Sequence, residues 1–192
     1  MHLAKFHYNR HTYIYKAYQY LYFLIQLPHV MNDLRSSLLH LQSLTLADAD
    51  FVYQLYTNDL VCQSYESPPI SSKEESVPFI QRITQPDCFV FLIGLLPDRQ
   101  PAGVCALHHW NKTKETIEIG GTLLPDYWGR GIMKETFRLL LSFAYETLGV
   151  KSVLANTQTT NIKAIRMATK LGFQKIHTKG SETTLVHKAF CV

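Results

Sequence analysis

Apolar and polar side chains alternate from residue 38 to 44, with Leu39 and Leu41 set against His40 and Gln42. That two-residue period predicts a half-buried strand. Ala47, Phe51, Val52 and Leu55 then recur at helical spacing behind Thr45, with Asp48 three positions on, a capped helix start. Ser67-Pro68-Pro69 reads as loop, because proline forbids helix and disfavours strand. Ser71 and Ser72, followed by Glu74 and Glu75, form a capping-box pattern that opens a helix to about Ile83. Three strands follow as a meander, over about 88–95, 102–109 and 116–124. The turns between them are Pro97-Asp98-Arg99-Gln100 and Asn111-Lys112-Thr113-Lys114. The longest helix is predicted over about 130–148, where Met133, Phe137, Leu140, Leu141, Ala144, Tyr145 and Leu148 make one apolar face. Gly149 stands where a left-handed cap belongs. A buried strand (153–156), a helix (161–171) and two closing strands (173–177 and 183–190) complete the pattern. The fold class expected is α/β (α+β), an antiparallel meander feeding a strand–helix–strand unit.

Composition narrows this picture. The 192 residues, 46% apolar and 18% charged, suit one globular domain. No apolar run approaches the roughly 20 residues that span a bilayer. Cys62, Cys88, Cys105 and Cys191 lack the close pairing of a zinc site, so no metal and reduced thiols are expected. The net charge of +4 owes three units to Lys5, Arg10 and Lys16, and the body is near neutral with no basic stripe, which argues against nucleic acid. Residues 1–32 stand apart from the domain at 33–192, since the first thirty hold no Asp, Glu or Gly and are crowded with Tyr and His. They read either as sequence upstream of a start at Met31 or as a partly ordered extension; a surface helix over 13–27 is conceivable. No signal-peptide pattern is visible, and a cytoplasmic location is expected.

The most informative segment is Leu124-Pro125-Asp126-Tyr127-Trp128-Gly129-Arg130-Gly131-Ile132-Met133-Lys134, where a strand ends, glycines punctuate a turn and a long helix begins. The first helical amides lack internal partners and carry partial positive charge, so such a junction suits an anion. It is not a P-loop, and Lys134 stands where a dinucleotide fingerprint needs its third glycine. A bare Gly-x-Gly also occurs in ordinary turns, so spacing alone leaves phosphate binding open.

The same run, Asp126 to Gly131, resembles the pyrophosphate signature of the GNAT acetyltransferases, whose general form is Gln/Arg-x-x-Gly-x-Gly/Ala. Its wording is similar to that of the ribosomal-protein N-acetyltransferases of the RimJ/RimL type. Asn161-Ile162-Lys163-Ala164 and Lys170-Leu171-Gly172-Phe173 resemble the family's second signature, and the resemblance covers about 33–190. It implies a mixed, mostly antiparallel sheet splayed in the middle, with flanking helices and acetyl-CoA in the gap. The pyrophosphate would meet the amides of Gly129, Arg130, Gly131, Ile132 and Met133. Leu123 and Leu124 would bind the pantetheine through their backbone, assisted by the Asn161 side chain. Arg130 would add charge or simply sit solvated. Asp126 departs from the family's Gln/Arg and reads as turn chemistry, while Tyr127 and Trp128 read as packing the loop onto the sheet.

Acetyl transfer to an amine needs the neutral amine and then a proton for the leaving thiolate. Deprotonating an α-amine at pH 7 costs only ~1 kcal/mol, against ~4.6 kcal/mol for a lysine. The base candidates are Glu118 on the cleft strand, Glu66 in the acceptor loop, and His108 or His109. Of the two histidines at most one should face inward, since consecutive strand residues point opposite ways. Ala168 occupies the family's usual tyrosine position, which leaves the acid unassigned; Asn156, Thr157 and Thr160 are weak candidates. The function expected is acetyl transfer from acetyl-CoA, by direct transfer in a ternary complex, to a peptide N-terminal α-amine or a small-molecule amine. The alternative is an acyl-CoA-binding module without turnover. The acceptor loops carry no run of acids that would suit a polycation, and either a monomer or a homodimer is compatible.

Overall fold

The computed structural model describes residues 34–63, 65 and 69–189. The expected extension 1–32, Glu66, Ser67, Pro68, Phe190 and Cys191 lie outside those residues. The chain begins with β1 (Leu34–Arg35) and β2 (Leu39–Ser43), then α1 (Ala49–Tyr56), α2 (Asp59–Cys62) and α3 (Ser76–Ile83). The meander is β3 (Phe89–Leu95), β4 (Gln100–Asn111) and β5 (Thr116–Leu123). The remainder is α4 (Ile132–Ser142), β6 (Ser152–Gln158), α5 (Ile162–Lys170), β7 (Gln174–Lys179) and β8 (Glu182–Lys188).

All eight strands share one sheet in the order β1-β2-β3-β4-β5-β6-β8-β7. Every neighbouring pair is antiparallel except β5 and β6, which the α4 crossover makes parallel. Strand alternation builds two cores. Phe89, Phe91 and Ile93 of β3 point one way, with Leu107, Ile117 and Ile119, against Phe137, Leu140 and Leu141 of α4. Val90, Leu92 and Val104 point the other way, against Val52 and Leu55 of α1 and Phe79 and Ile80 of α3. Each such side chain contributes roughly 1.5–3 kcal/mol by leaving water.

Both expected helix starts form, each through a short 3-10 turn. The Thr45 amide donates to Asp48 Oδ2 at 2.8 Å, ahead of the turn Leu46–Asp48. The Ser71 amide donates to Glu75 Oε2 at 2.6 Å, ahead of Lys73–Glu75. The long helix expected over 130–148 is shorter. Regular α-helix ends at Ser142 and a π-turn runs over Phe143–Thr147, with the Leu148 amide donating to the Phe143 carbonyl at 3.1 Å. The wider turn leaves Phe143, Ala144 and Leu148 all buried. It also carries Tyr145 to β8, where its hydroxyl donates to the His187 carbonyl at 3.0 Å. Gly149 follows with a φ of 67°, the left-handed position expected of it.

Cys62, Cys88 and Cys105 are free thiols, and Cys105 is buried in the sheet. Among the described residues no helix is long and apolar enough to cross a membrane.

Candidate active site: a groove between two diverging strands

The parallel pairing of β5 and β6 covers Thr116, Ile117 and Glu118 against Ser152, Val153 and Leu154, and then stops. Beyond it, β5 stays with β4 as far as Leu123, while β6 stays with β8 as far as Gln158. Two strands held by different neighbours must part, and the gap opens into a groove of 1920 Å³. That exceeds the roughly 300–1,000 Å³ of an ordinary ligand pocket and leaves room for two reactants at once.

One end of the groove is made of backbone. Gly129, Gly131, Ile132 and Met133 line it where α4 begins. Gly131 caps the helix with a φ of 78° and Gly129 has a φ of 75°, a region most side chains avoid. A Cβ added at either would meet nothing within 4 Å, so the space over both is open. The amides of Ile132, Met133 and Lys134 have no partner within the helix and face that space with the positive end of the helix dipole. Lys134, Lys163 and Arg166 also line the groove. Open glycines, free helix amides and Lys134 in the first turn of α4 fit a pyrophosphate. Asn161 caps α5, its Oδ1 accepting from the Ala164 amide at 3.1 Å, so its amide nitrogen is the part left to a ligand.

Several residues expected here are already engaged. The Arg130 side chain does not line the groove; its guanidinium lies 5.7 Å from the centre of the Tyr127 ring. The Leu123 carbonyl accepts from the Trp128 indole at 2.8 Å, which ties that loop to the strand end. The Leu124 amide donates to Ala102 and its carbonyl accepts from Tyr127, which leaves Leu124 little backbone for a ligand.

The other end is made of side chains. His108 pairs with Glu118 across β4 and β5. The register then slips between His108 and Asn111, and His109 takes a φ of 51°. This bulge cancels the expected alternation, and both imidazoles turn toward Glu118. His109 Nδ1 lies 3.2 Å from Glu118 Oε2, His108 Nδ1 lies 3.9 Å from it, and the two Nδ1 atoms are 3.1 Å apart. The expectation that at most one histidine faces the cleft is therefore corrected, because it assumed an unbroken strand. Both imidazoles line the groove, whereas Glu118, expected on its wall, sits behind them with about a quarter of its side chain exposed. Asn156 ties this cluster across the gap: its Nδ2 donates to Glu118 Oε2 at 3.1 Å and its Oδ1 accepts from Thr184 at 2.8 Å. Burial lowers the His108 pKa from its ordinary value, helped by His109 and opposed by Glu118.

Tyr56 and Tyr65 also line the groove, and the Tyr65 hydroxyl lies 2.7 Å from Thr122 Oγ1 on β5. Burial raises both phenol pKa values and keeps the protons on. The sequence reading missed these tyrosines, since nothing in their spacing marks them out. Thr157 lines the groove, as does Ala168 of α5, the family's tyrosine position, which is otherwise buried.

A sheet that splays between parallel strands, with a glycine-bounded helix start at its mouth, defines an acyl-CoA-dependent N-acyltransferase architecture. Residues 39–174 match the family described as acetyltransferase (GNAT) domain, and the chain belongs to that family. It is 25% identical over 146 residues to the uncharacterized N-acetyltransferase YoaA of Bacillus subtilis, covering 74% of this chain and 82% of that one. The fold is that of a putative ribosomal-protein-serine acetyltransferase from Vibrio cholerae (TM-score 0.71, 16% identity, 82% and 99% of the two chains covered). It is shared too by a spermidine N-acetyltransferase from Vibrio cholerae solved with CoA and spermine (TM-score 0.70, 17% identity, 80% and 96% covered).

Proposed function

We propose that this enzyme transfers the acetyl group of acetyl-CoA directly to a primary amine, a peptide N-terminal α-amine or a small-molecule amine, with both substrates in the groove together. The observation that carries this reading is that one groove is lined both by the open glycine cradle of Gly129 and Gly131 and by His108 and His109. The backbone end holds the pyrophosphate on the amides of Gly131, Ile132 and Met133, with Asn161 alongside. The thioester then reaches toward the side-chain end, where the amine arrives.

The neutral amine nitrogen forms the new bond to the acetyl carbon as the carbon–sulfur bond breaks. Its surplus proton leaves through the imidazoles to Glu118, which Asn156 holds in place. The departing thiolate takes a proton from the Tyr65 hydroxyl, whose partner Thr122 lies one residue before Leu123 at the strand end. Glu118 and His108 are thus the base and Tyr65 the acid, a role the sequence left without an owner.

The acceptor wall supports an uncharged or singly charged amine. Tyr56, Tyr65 and Phe79 face it, and the Arg82 guanidinium lies 5.3 Å from the centre of the Phe79 ring. A cation at that wall opposes a polyamine.

The test is turnover of acetyl-CoA with a peptide bearing a free α-amine, the same peptide blocked at its N-terminus but carrying a lysine, and a small primary amine. The account expects the free α-amine or the small amine to be acetylated faster than the blocked lysine peptide. Acetylation of spermidine above both would overturn the acceptor assignment.

A further inference from the structure

We infer that His108, His109 and Glu118 form a binding site for a divalent transition-metal cation of the zinc type. The inference rests on the geometry of this cluster; because the cation would occupy the lone pairs that otherwise accept the amine's proton, metal binding and proton transfer at this site exclude each other.

Three lone-pair donors converge here: His108 Nδ1, His109 Nδ1 and Glu118 Oε2, separated by 3.1, 3.2 and 3.9 Å. A triangle with those sides has one centre about 2.0 Å from every corner, within the range of zinc bonds to imidazole nitrogen and carboxylate oxygen. A cation displaced slightly toward the groove would keep bonds of about 2.1 Å and leave its fourth position to solvent, the two-histidine, one-carboxylate arrangement. The donor types suit zinc-like cations better than magnesium or calcium, which prefer all-oxygen shells.

The bulge is what makes the set. An unbroken β4 would send His109 to the opposite face, whereas its φ of 51° folds the ring back beside His108, with ring centres 4.6 Å apart. The third donor comes from β5 through the His108–Glu118 pairing. Asn156 supplies the outer support that orients the carboxylate, itself locked by Thr184. Cysteine spacing has no bearing on such a site, which is why the sequence pointed to no metal.

The experiment is a titration of the full chain with Co²⁺, read by the visible absorption of a low-coordinate cobalt centre and displaced by Zn²⁺. The wild type should bind one equivalent. His109→Ala and Glu118→Gln should lose that binding while keeping the wild-type melting temperature and acetyl-CoA affinity, and Asn156→Ala should weaken it about tenfold. His177→Ala, on the exposed edge strand β7, should bind as the wild type does. Three results would overturn the site. One is a wild type that never develops the absorption. Another is binding that survives in both His109→Ala and Glu118→Gln, which would place the metal elsewhere in the chain. A sulfur-to-cobalt charge-transfer band would contradict it as well, by placing the metal on cysteine. Because acetyl-CoA affinity is read separately on the same variants, failure of the metal site leaves the transferase reading standing, and the converse holds too.

Discussion

The two ends of the groove solve their problems with different parts of the chain. At the α4 end the work falls to backbone: two glycines with positive φ and a helix start whose amides point at empty space. At the β4 end it falls to side chains from three strands, His108 and His109 from β4, Glu118 from β5 and Asn156 from β6. Binding a doubly charged phosphate needs many weak donors held still, which a helix terminus supplies without any particular side chain. Moving a proton needs titratable groups within hydrogen-bond reach of one another, which only side chains supply. Substitutions should therefore separate the two ends cleanly.

The largest expected effect is at the proton end. Glu118→Gln keeps the shape and the Asn156 contact but removes the negative charge, and kcat should fall about 100- to 10 000-fold, the range of general-base catalysis. The lower end of that range marks an α-amine, which is easily deprotonated, and the upper end a lysine. Rapid-quench assays of acetylated product would read it. An unchanged kcat would mean that the cluster handles no proton.

That contrast also explains what the sequence could show. The phosphate end is local: Gly129, Gly131 and the first turn of α4 are neighbours in the chain, so a short motif carries both glycines and the helix start. The proton end is not. His108 and Glu118 meet only through the β4–β5 register, and His109 joins them only because a bulge overrides strand alternation, which no pattern of apolar residues announces. The two tyrosines and the cations of α5 were hidden for the same reason, being ordinary wall residues until the groove brings them together. At the level of elements, the meander, the crossover helix and both capped helix starts were readable from period and capping residues. The π-turn after Ser142 was not, because the apolar face that predicts a helix continues through it.

A smaller effect separates two jobs of one residue. Asn161→Ala should cost about 1 kcal/mol of stability through the lost N-cap. Asn161→Asp keeps the capping oxygen and should melt with the wild type, yet bind acetyl-CoA several-fold more weakly, because it places a negative charge beside the phosphates. Equal affinity for wild type and Asn161→Asp would confine Asn161 to capping.

The smallest effect lies outside the groove. Burial lowers the His187 pKa from 6.5, while a hydrogen bond with the Leu171 backbone acts the other way. The folded state thus favours the neutral ring. Its contribution to stability is complete above pH 6.5 and is lost as the pH falls from there through the lower folded pKa. Melting curves from pH 7.5 to 5 should show a falling midpoint in the wild type and a flatter one in His187→Gln. Parallel slopes would remove His187 from the account.

The most direct test of the division is calorimetric titration of acetyl-CoA into the wild type, Gly131→Glu and Glu118→Gln. Glutamate at position 131 sets a carboxylate in the open space over the cradle, and its repulsion of the phosphates should cost about 3 kcal/mol, or roughly a hundredfold in Kd. The account predicts micromolar binding by the wild type, the same affinity within about threefold for Glu118→Gln, and binding roughly a hundredfold weaker by folded Gly131→Glu. A wild type that ignores acetyl-CoA, or a Glu118→Gln variant that loses it together with Gly131→Glu, would contradict the separation of a backbone cradle from a side-chain proton site.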